Sequence, residues 1–348
     1  MSSSVQFYLA LLLVYAGVDL IACWGLNLQM GLCGILNFGF VLFQAAGAYT
    51  YAILTLGAPS HNSAAGAGFQ TYLWGARLPF PLPFVGAVAV GGALSALVGL
   101  LVLPRLRGDY QAIALLVVSL VVSGLILNDS SLFNGANGLS SIPRPLEATL
   151  GLSGLGYSWV YVGFTGLLCI LSGCLVWQIG RSPLGRVMRA VREHEEAARS
   201  LGKNPGQLRM IAFIGGGMLA GLSGAVLVAY IDAWAPSSWG YVETFVFVTA
   251  VIVGGFGSNV GVAVGVLLVP IVFGEAPLFL PSLVQSSWFG AVQLILFGLF
   301  TIGFLWFRPQ GVRPERRVKY FGRISKVGKP VAIRRDGNAS GDASGGKP

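Results

Sequence analysis

Long uncharged stretches alternate with short polar segments along this chain. The apolar stretches predict membrane-spanning helices at nine places, namely 5–27, 31–57, 82–104, 110–128, 155–180, 207–233, 241–256, 259–275 and 286–307. Several of them reach the roughly 20 residues that a helix needs to cross a bilayer. Turns on one side of the membrane are then expected at 58–81, 129–154, 234–240 and 276–285. The pattern predicts an all-α polytopic membrane protein with about 8–10 transmembrane helices.

Residues 5–57 form one nearly unbroken apolar stretch. As a single helix it would be about 80 Å long, far more than the ~30 Å hydrocarbon core, so it must fold back. The glycines between Gly25 and Gly39 mark where this is expected. A broken helix at membrane depth requires burial in protein or a cavity to line. Two further glycine spacings, Gly217/Gly221 and Gly257/Gly261/Gly265, predict close helix contacts.

One dense polar insert, residues 181–209, interrupts the apolar chain. It carries seven Lys/Arg and three Glu, whereas only 10% of the whole chain is charged. Its apolar positions fall in a stripe at helical spacing: Val187, Val191, Ala198 and Leu201. Its polar faces carry Arg189, Arg192, Glu193 and Glu196. The insert is predicted to form a helix that a soluble partner can bind.

Composition and charge agree with a membrane protein and argue against a nucleic-acid-binding protein. Hydrophobic residues make up 55% of the chain, and 50 of its 348 residues are glycine. The net charge of +9 is clustered near residue 105, in the insert and in the tail, which favours the positive-inside rule over nucleic-acid binding. We therefore expect the N-terminus outside and the C-terminus in the cytoplasm. Residues 1–308 form the predicted transmembrane domain, and residues 309–348 a basic, partly disordered tail.

Polar residues within the spans are candidates for function. A charge such as Asp19 costs ~2.5–3.5 kcal/mol or more in mid-membrane, so Asp19 is either an ion or proton site or a protonated, hydrogen-bonded structural residue. Asn27, Asn37, Gln44 and Tyr49 either line a path for a small zwitterion or bond the interrupted backbone. No phosphate-binding loop, H-E-x-x-H or G-x-S-x-G motif occurs, and the cysteines and histidines suggest no metal site.

One short motif and seven longer segments carry a resemblance to a known family. The motif is Glu196-Ala197-Ala198-x-x-x-Gly202 in the insert. The segments are GLNLQMGLCGILNFG (25–39), GAYTYAIL (47–54), LRGDYQAIALL (106–116), NGANGLSSIPRP (134–145), GRVMRAVREHEEAARSLGKN (185–204), VIVGGFGSNVGVAVG (251–265) and FRPQGV (307–312). Together they resemble the LivM-type permease subunits of the branched-chain amino acid ABC importers, and the motif is similar to the opening of the EAA loop by which such permeases dock their ATPases. Phe40 and the absence of Glu or Gln within 112–127 depart from the family pattern.

The resemblance implies an ABC importer permease fold with a cytoplasmic coupling helix in a bacterial inner membrane. It also implies four kinds of component: this chain, a second homologous permease, two ATPase subunits and a periplasmic substrate-binding protein. No cofactor is expected in this chain, because ATP and Mg²⁺ would bind the ATPase subunits. The coupling residues would be Arg189, Arg192, Glu193, Glu196, Ala197 and Gly202.

The implied substrates are hydrophobic, branched-chain amino acids, although relatives in this family move urea, amides or other amino acids. Two other classes stay open. An ion-coupled secondary carrier would use Asp19 as its coupling site. A scaffold without transport activity would use the basic insert and tail to recruit soluble proteins or anionic lipid.

Overall fold

The structure of the chain is a computed structural model that describes residues 3–57, 70–72, 74–106, 108–147, 151, 154–275, 289–308 and 310–313. The α-helices are α1 (Ser3–Asn27), α2 (Phe40–Thr55), α3 (Leu82–Val102), α4 (Gly108–Asn128), α5 (Ser130–Phe133), α6 (Leu155–Arg181), α7 (Pro183–Glu193), α8 (Glu195–Ser200), α9 (Pro205–Ile231), α10 (Tyr241–Gly254), α11 (Asn259–Val266) and α12 (Phe289–Phe307). Two π-helical segments, Leu28–Leu32 and Leu267–Glu275, continue α1 and α11.

Helices long and apolar enough to cross a membrane account for six segments of the described chain, and shorter apolar helices account for three more. Each of the nine predicted spans corresponds to one of these segments, so the predicted all-α polytopic class is confirmed. The predicted tail lies outside the described residues from position 314 onward, as do most of the predicted turns 58–81 and 276–285.

The polar insert lies at one end of the helix bundle, which we call the insert end. Helix α6 runs into the insert and α9 runs out of it, and the 27 residues of α9 extend about 40 Å. The opposite end, which we call the far end, carries the segments 129–147 and 232–240. There the Leu139 and Trp234 backbones exchange two hydrogen bonds of 2.8 Å, and Arg144 forms an ion pair of 2.8 Å with Asp232.

The fold-back predicted near Gly25 to Gly39 is present. Helix α1 passes into the π-helical segment Leu28–Leu32, and residues 34–37 have no regular secondary structure before α2 begins. Side-chain amides connect this segment to other parts of the chain. The Asn27 Oδ1 atom accepts a hydrogen bond from the Gly257 N–H (2.9 Å), and the Gln29 amide donates to the Phe213 carbonyl (2.9 Å). Asn37 in turn donates to Gln29 Oε1 (2.8 Å).

Glycines let helix backbones approach closely at the predicted spacings. A Cβ atom added to Gly221 of α9 would lie 2.5 Å from the Ala87 carbonyl oxygen of α3. One added to Gly265 would lie 2.0 Å from the Ala250 carbonyl oxygen of α10. Neither position can accept a larger residue without movement of the backbone. Gly257 differs, because its φ of +75° places it in the turn between α10 and α11.

Candidate functional site

The insert forms two short helices instead of the single helix that its periodicity predicts. The break is at His194, whose φ of −146° and ψ of 90° are extended. Helix α7 begins at Pro183 after Ser182, whose hydroxyl accepts a hydrogen bond from the Gly185 N–H (3.2 Å). The next helix opens with Glu195 and Glu196 in its first turn, where negative charge is favourable. Helix α8 thus begins as a separate helix with favourable negative charge in its first turn.

The apolar stripe of the insert packs on the bundle only in part. Val191 and Ala198 are buried as predicted, and Met188 joins them. Leu201 does not, since it is 80% exposed after the end of α8. The break at His194 explains the difference, because the angular register of α7 does not continue into α8.

Two arginines predicted as partner contacts bind the chain's own backbone. Arg189 donates from Nη2 to the Gly180 carbonyl (2.5 Å) at the C-terminal end of α6, where a cation is stabilised by the helix dipole. Arg192 donates from Nη1 to the Gly31 carbonyl in the π-helical segment, and its aliphatic stem lies against Gly34. Both side chains therefore attach α7 to membrane-spanning elements.

A third attachment comes from Glu195, which the sequence did not single out. Its carboxylate forms ion pairs of 2.9 Å with Arg209 of α9 and 3.2 Å with Arg199 of its own helix. The i,i+4 spacing of Glu195 and Arg199 was the available sequence signal for the second pair. The pair with Arg209 connects α8 to the first turns of α9.

The remaining predicted coupling residues lie at the surface. Glu193 has a side chain that is 67% exposed, and Glu196, Ala197 and Gly202 are also exposed. Gly202 has a φ of +73° with open space where a side chain would begin. Together with Leu201 these residues make up what we call the outer face of the insert: Glu193, Glu196, Ala197, Leu201 and Gly202. It offers carboxylates, one apolar side chain and room for close approach.

The predicted path residues occupy three kinds of surroundings. Asn27 and Asn37 are fully buried and bond the fold-back described above. Gln44 is buried on α2, where its backbone carbonyl oxygen lies against Gly224 of α9. Tyr49 lines a cavity between α2, α3 and α4. The other candidate, Asp19, is 7% exposed within α1.

Across the described ranges, no three His, Cys, Asp or Glu side chains come together as they would to hold a metal ion. At the insert end, the Arg181 guanidinium lies 4.6 Å from the ring centre of Trp177. Such an aromatic and basic pair at the end of a span is typical of a membrane–water interface.

Comparison with known proteins agrees with this architecture. A family profile described as "Branched-chain amino acid transport system / permease component" matches residues 8–302. The permease protein LivM of the high-affinity branched-chain amino acid transport system of Escherichia coli (strain K12) is 33% identical, over 84% of this chain and 67% of its own length.

Two more distant relatives are a probable LivM of Methanocaldococcus jannaschii and the autoinducer 2 import permease LsrC of Enterobacter sp. (strain 638). The first is 26% identical over 89% of this chain and 94% of its own length. The second is 29% identical over 72% and 71%. No solved structure gives a significant match. The family profile covers all but the two ends of the chain, and the chain therefore belongs to the branched-chain amino acid permease family of ABC transporters.

Proposed function

We propose that this chain is the membrane-spanning permease subunit of an ATP-driven importer that moves hydrophobic, branched-chain amino acids across a bacterial inner membrane. It would act with a second homologous permease, two ATPase subunits and a periplasmic substrate-binding protein. ATP and Mg²⁺ would bind the ATPase subunits, which would dock on the outer face of the insert. The observation that carries the proposal is the way the insert is attached to the spans.

Three contacts attach the insert to different membrane elements. Arg189 bonds the end of α6, Arg192 bonds the π-helical segment after α1, and Glu195 pairs with Arg209 of α9. A loop held by one contact would absorb a push from a soluble partner by bending. An insert held at three places passes the displacement to three spans at once. This is the arrangement that ATP-driven transport by separate ATPase chains requires.

The orientation follows from the distribution of charge. The insert end carries the basic residues of the insert, and Arg313 also lies there, with its N–H bonded to the Gly254 carbonyl (3.2 Å). Basic segments favour the cytoplasmic side. We therefore place the start of α1 on the periplasmic side and the C-terminus in the cytoplasm, with the far end facing the binding protein.

The substrate class is supported by the relatives that carry branched-chain amino acid names. An autoinducer 2 permease also matches, so a different small solute, such as urea, an amide or another amino acid, is the alternative within the family. Outside it, Asp19 supports an ion-coupled carrier, because a carboxylate is nearly buried in the first span. The two mechanisms differ in whether uptake needs ATP.

The test is uptake by the assembled importer in proteoliposomes. The tagged chain is purified in mild detergent with its co-purifying subunits, reconstituted with the binding protein, and supplied with labelled leucine, isoleucine or valine. We expect uptake with ATP and none without it. Uptake driven by an ion gradient in the absence of ATP, and abolished by Asp19→Asn, would overturn the proposal.

A charge reversal on the outer face tests the docking role. Glu196→Arg should reduce ATP-dependent uptake and ATPase recovery in the purified complex, because it replaces an exposed carboxylate with a cation. Asp109→Arg is the matched control, since Asp109 is exposed at the same end of the bundle but lies outside the insert. Equal uptake by both variants would remove Glu196 from the docking surface.

A further inference from the structure

Helix α4 leaves a wedge-shaped cavity beside α2 and α3. Near the insert end α4 touches the start of α2, where a Cβ atom added to Gly39 would lie 2.2 Å from the Leu115 carbonyl oxygen. Beyond this contact a cavity of about 180 Å³ separates α4 from the other two helices. Its floor is one face of α2, on which Leu42, Ala46 and Tyr49 follow at helical spacing.

Aromatic side chains close the other end. The Tyr49 ring stacks on Phe133 with ring centres 4.5 Å apart and meets Trp239 edge-on at 6.4 Å. The hydroxyl of Tyr49 and the indole nitrogen of Trp239 are both buried at this end and lie close enough to interact with each other. The cavity therefore lies along α2 between the Gly39 contact and this aromatic cluster, and one side of it is open.

The walls of the cavity are apolar and suit a hydrocarbon group. None of the lining residues is charged, and Val90 and Val122 face the cavity from α3 and α4. The Thr50 hydroxyl already donates to the Ala46 carbonyl (2.7 Å). A charged ammonium or carboxylate inside would lose its hydration without a counter-ion, which is strongly unfavourable. A sugar or a nucleoside would leave most of its polar groups unpaired.

The size of the cavity limits what fits. An engineered protein cavity of about 150 Å³ takes up benzene, so a cavity of about 180 Å³ accommodates a side chain between isobutyl and benzyl in size. We propose that this cavity holds the apolar side chain of the transported amino acid during its passage, with the ammonium and carboxylate groups left at the open side. This inference rests on the proposed function and adds the place where the permease itself recognises the side chain of the substrate.

The experiment changes the volume of the cavity in both directions. The complete importer is reconstituted, and initial uptake of labelled alanine, leucine and phenylalanine is measured at saturating loaded binding protein, so that affinity for the binding protein does not enter. Ala46→Phe fills the cavity, and Val122→Ala enlarges it. Ala93→Phe is the control, because Ala93 is exposed on α3 and does not line the cavity.

The rate of uptake should change by about fourfold for each methylene group by which the contact between the substrate side chain and the cavity grows or shrinks. We expect Ala46→Phe to lower leucine and phenylalanine uptake by about tenfold or more relative to alanine. Val122→Ala removes two carbons and should raise the phenylalanine-to-leucine ratio by about four- to sixteenfold. Ala93→Phe should leave all ratios unchanged. If Ala46→Phe does not assemble, the milder Val122→Ala still decides the question.

The experiment distinguishes a failure of the cavity proposal from a failure of the proposed function. Normal ATP-dependent uptake with ratios unchanged in both cavity variants would overturn the site and leave the proposed function standing. An equal fall for all three amino acids would mean that the cavity holds a lipid acyl chain or serves packing, and would also overturn the site. Absence of ATP-dependent uptake by the unmodified importer would overturn the proposed function and the site with it.

Discussion

The bond from Arg192 to the Gly31 carbonyl is predicted to transmit movement of the insert into the membrane. Arg192→Met is the sharpest perturbation, because methionine keeps an unbranched apolar stem over Gly34. It removes the donor to Gly31 and, with the charge, the exposed ion pair of 3.7 Å with Glu193. A hydrogen bond from a charged donor contributes about 1.5–3 kcal/mol, which corresponds to about 10- to 150-fold in an equilibrium. The Arg192 side chain is 22% exposed, so solvent weakens this value only modestly.

The assay is the number of leucine molecules transported per ATP hydrolysed by the reconstituted importer. We expect Arg192→Met to keep its ATPase subunits and to hydrolyse ATP while the transport stoichiometry falls by about tenfold or more. The insert would then move without carrying the π-helical segment with it. Arg186→Met is the matched control, since Arg186 is exposed on the same helix, α7, and is not one of the three attachments.

Two outcomes would contradict this reasoning. An unchanged stoichiometry in Arg192→Met would show that the bond to Gly31 carries no movement. Loss of the ATPase subunits from the purified complex would show instead that Arg192 contacts the partner directly, as the sequence alone predicted.

Two further predictions concern packing and the third attachment of the insert. Gly221→Ala should destabilise the chain by about 1–3 kcal/mol through overpacking, because the new methyl group would lie 2.5 Å from the Ala87 carbonyl oxygen. Thermal unfolding in detergent checks this, with Gly163→Ala, which meets open space, as the control. Glu195→Gln should weaken the pair with Arg209 by less than about 1 kcal/mol, with the loss shrinking at high salt. If unfolding of Glu195→Gln depends on salt in the same way as unfolding of the unmodified chain, the pair of Glu195 with Arg209 does not contribute to stability.

The spans and the fold-back were predictable because each depends on local composition. A stretch too long for one crossing must turn, and the glycines between Gly25 and Gly39 allowed only a few places for it. The close contacts at Gly221 and Gly265 likewise followed from spacing. These features depend on the length of a helix and the size of a residue, both of which a sequence states directly.

The direction of individual polar side chains was not predictable. Arg189 and Arg192 read as exposed charges on an amphipathic helix, but each reaches a carbonyl at the end of another element. Such acceptors exist only after the chain has folded, at a helix C-terminus or in a π-helical segment. The cavity beside α4 was hidden for the same reason, because it depends on the angle at which α4 leaves α2 and not on any motif.

The attachments of the insert converge on one short segment of the chain. Arg192 reaches Leu28–Leu32 from the insert, and Gln29 of that segment donates to Phe213 of α9. Directly before the segment, Asn27 accepts from Gly257 in the turn between α10 and α11. The π-helical geometry makes this segment the easiest part of the first span to rearrange, since its hydrogen bonds are not those of a regular helix. We therefore expect a displacement of the insert to reach α9 and the α10–α11 turn through the same few residues and to move these spans together.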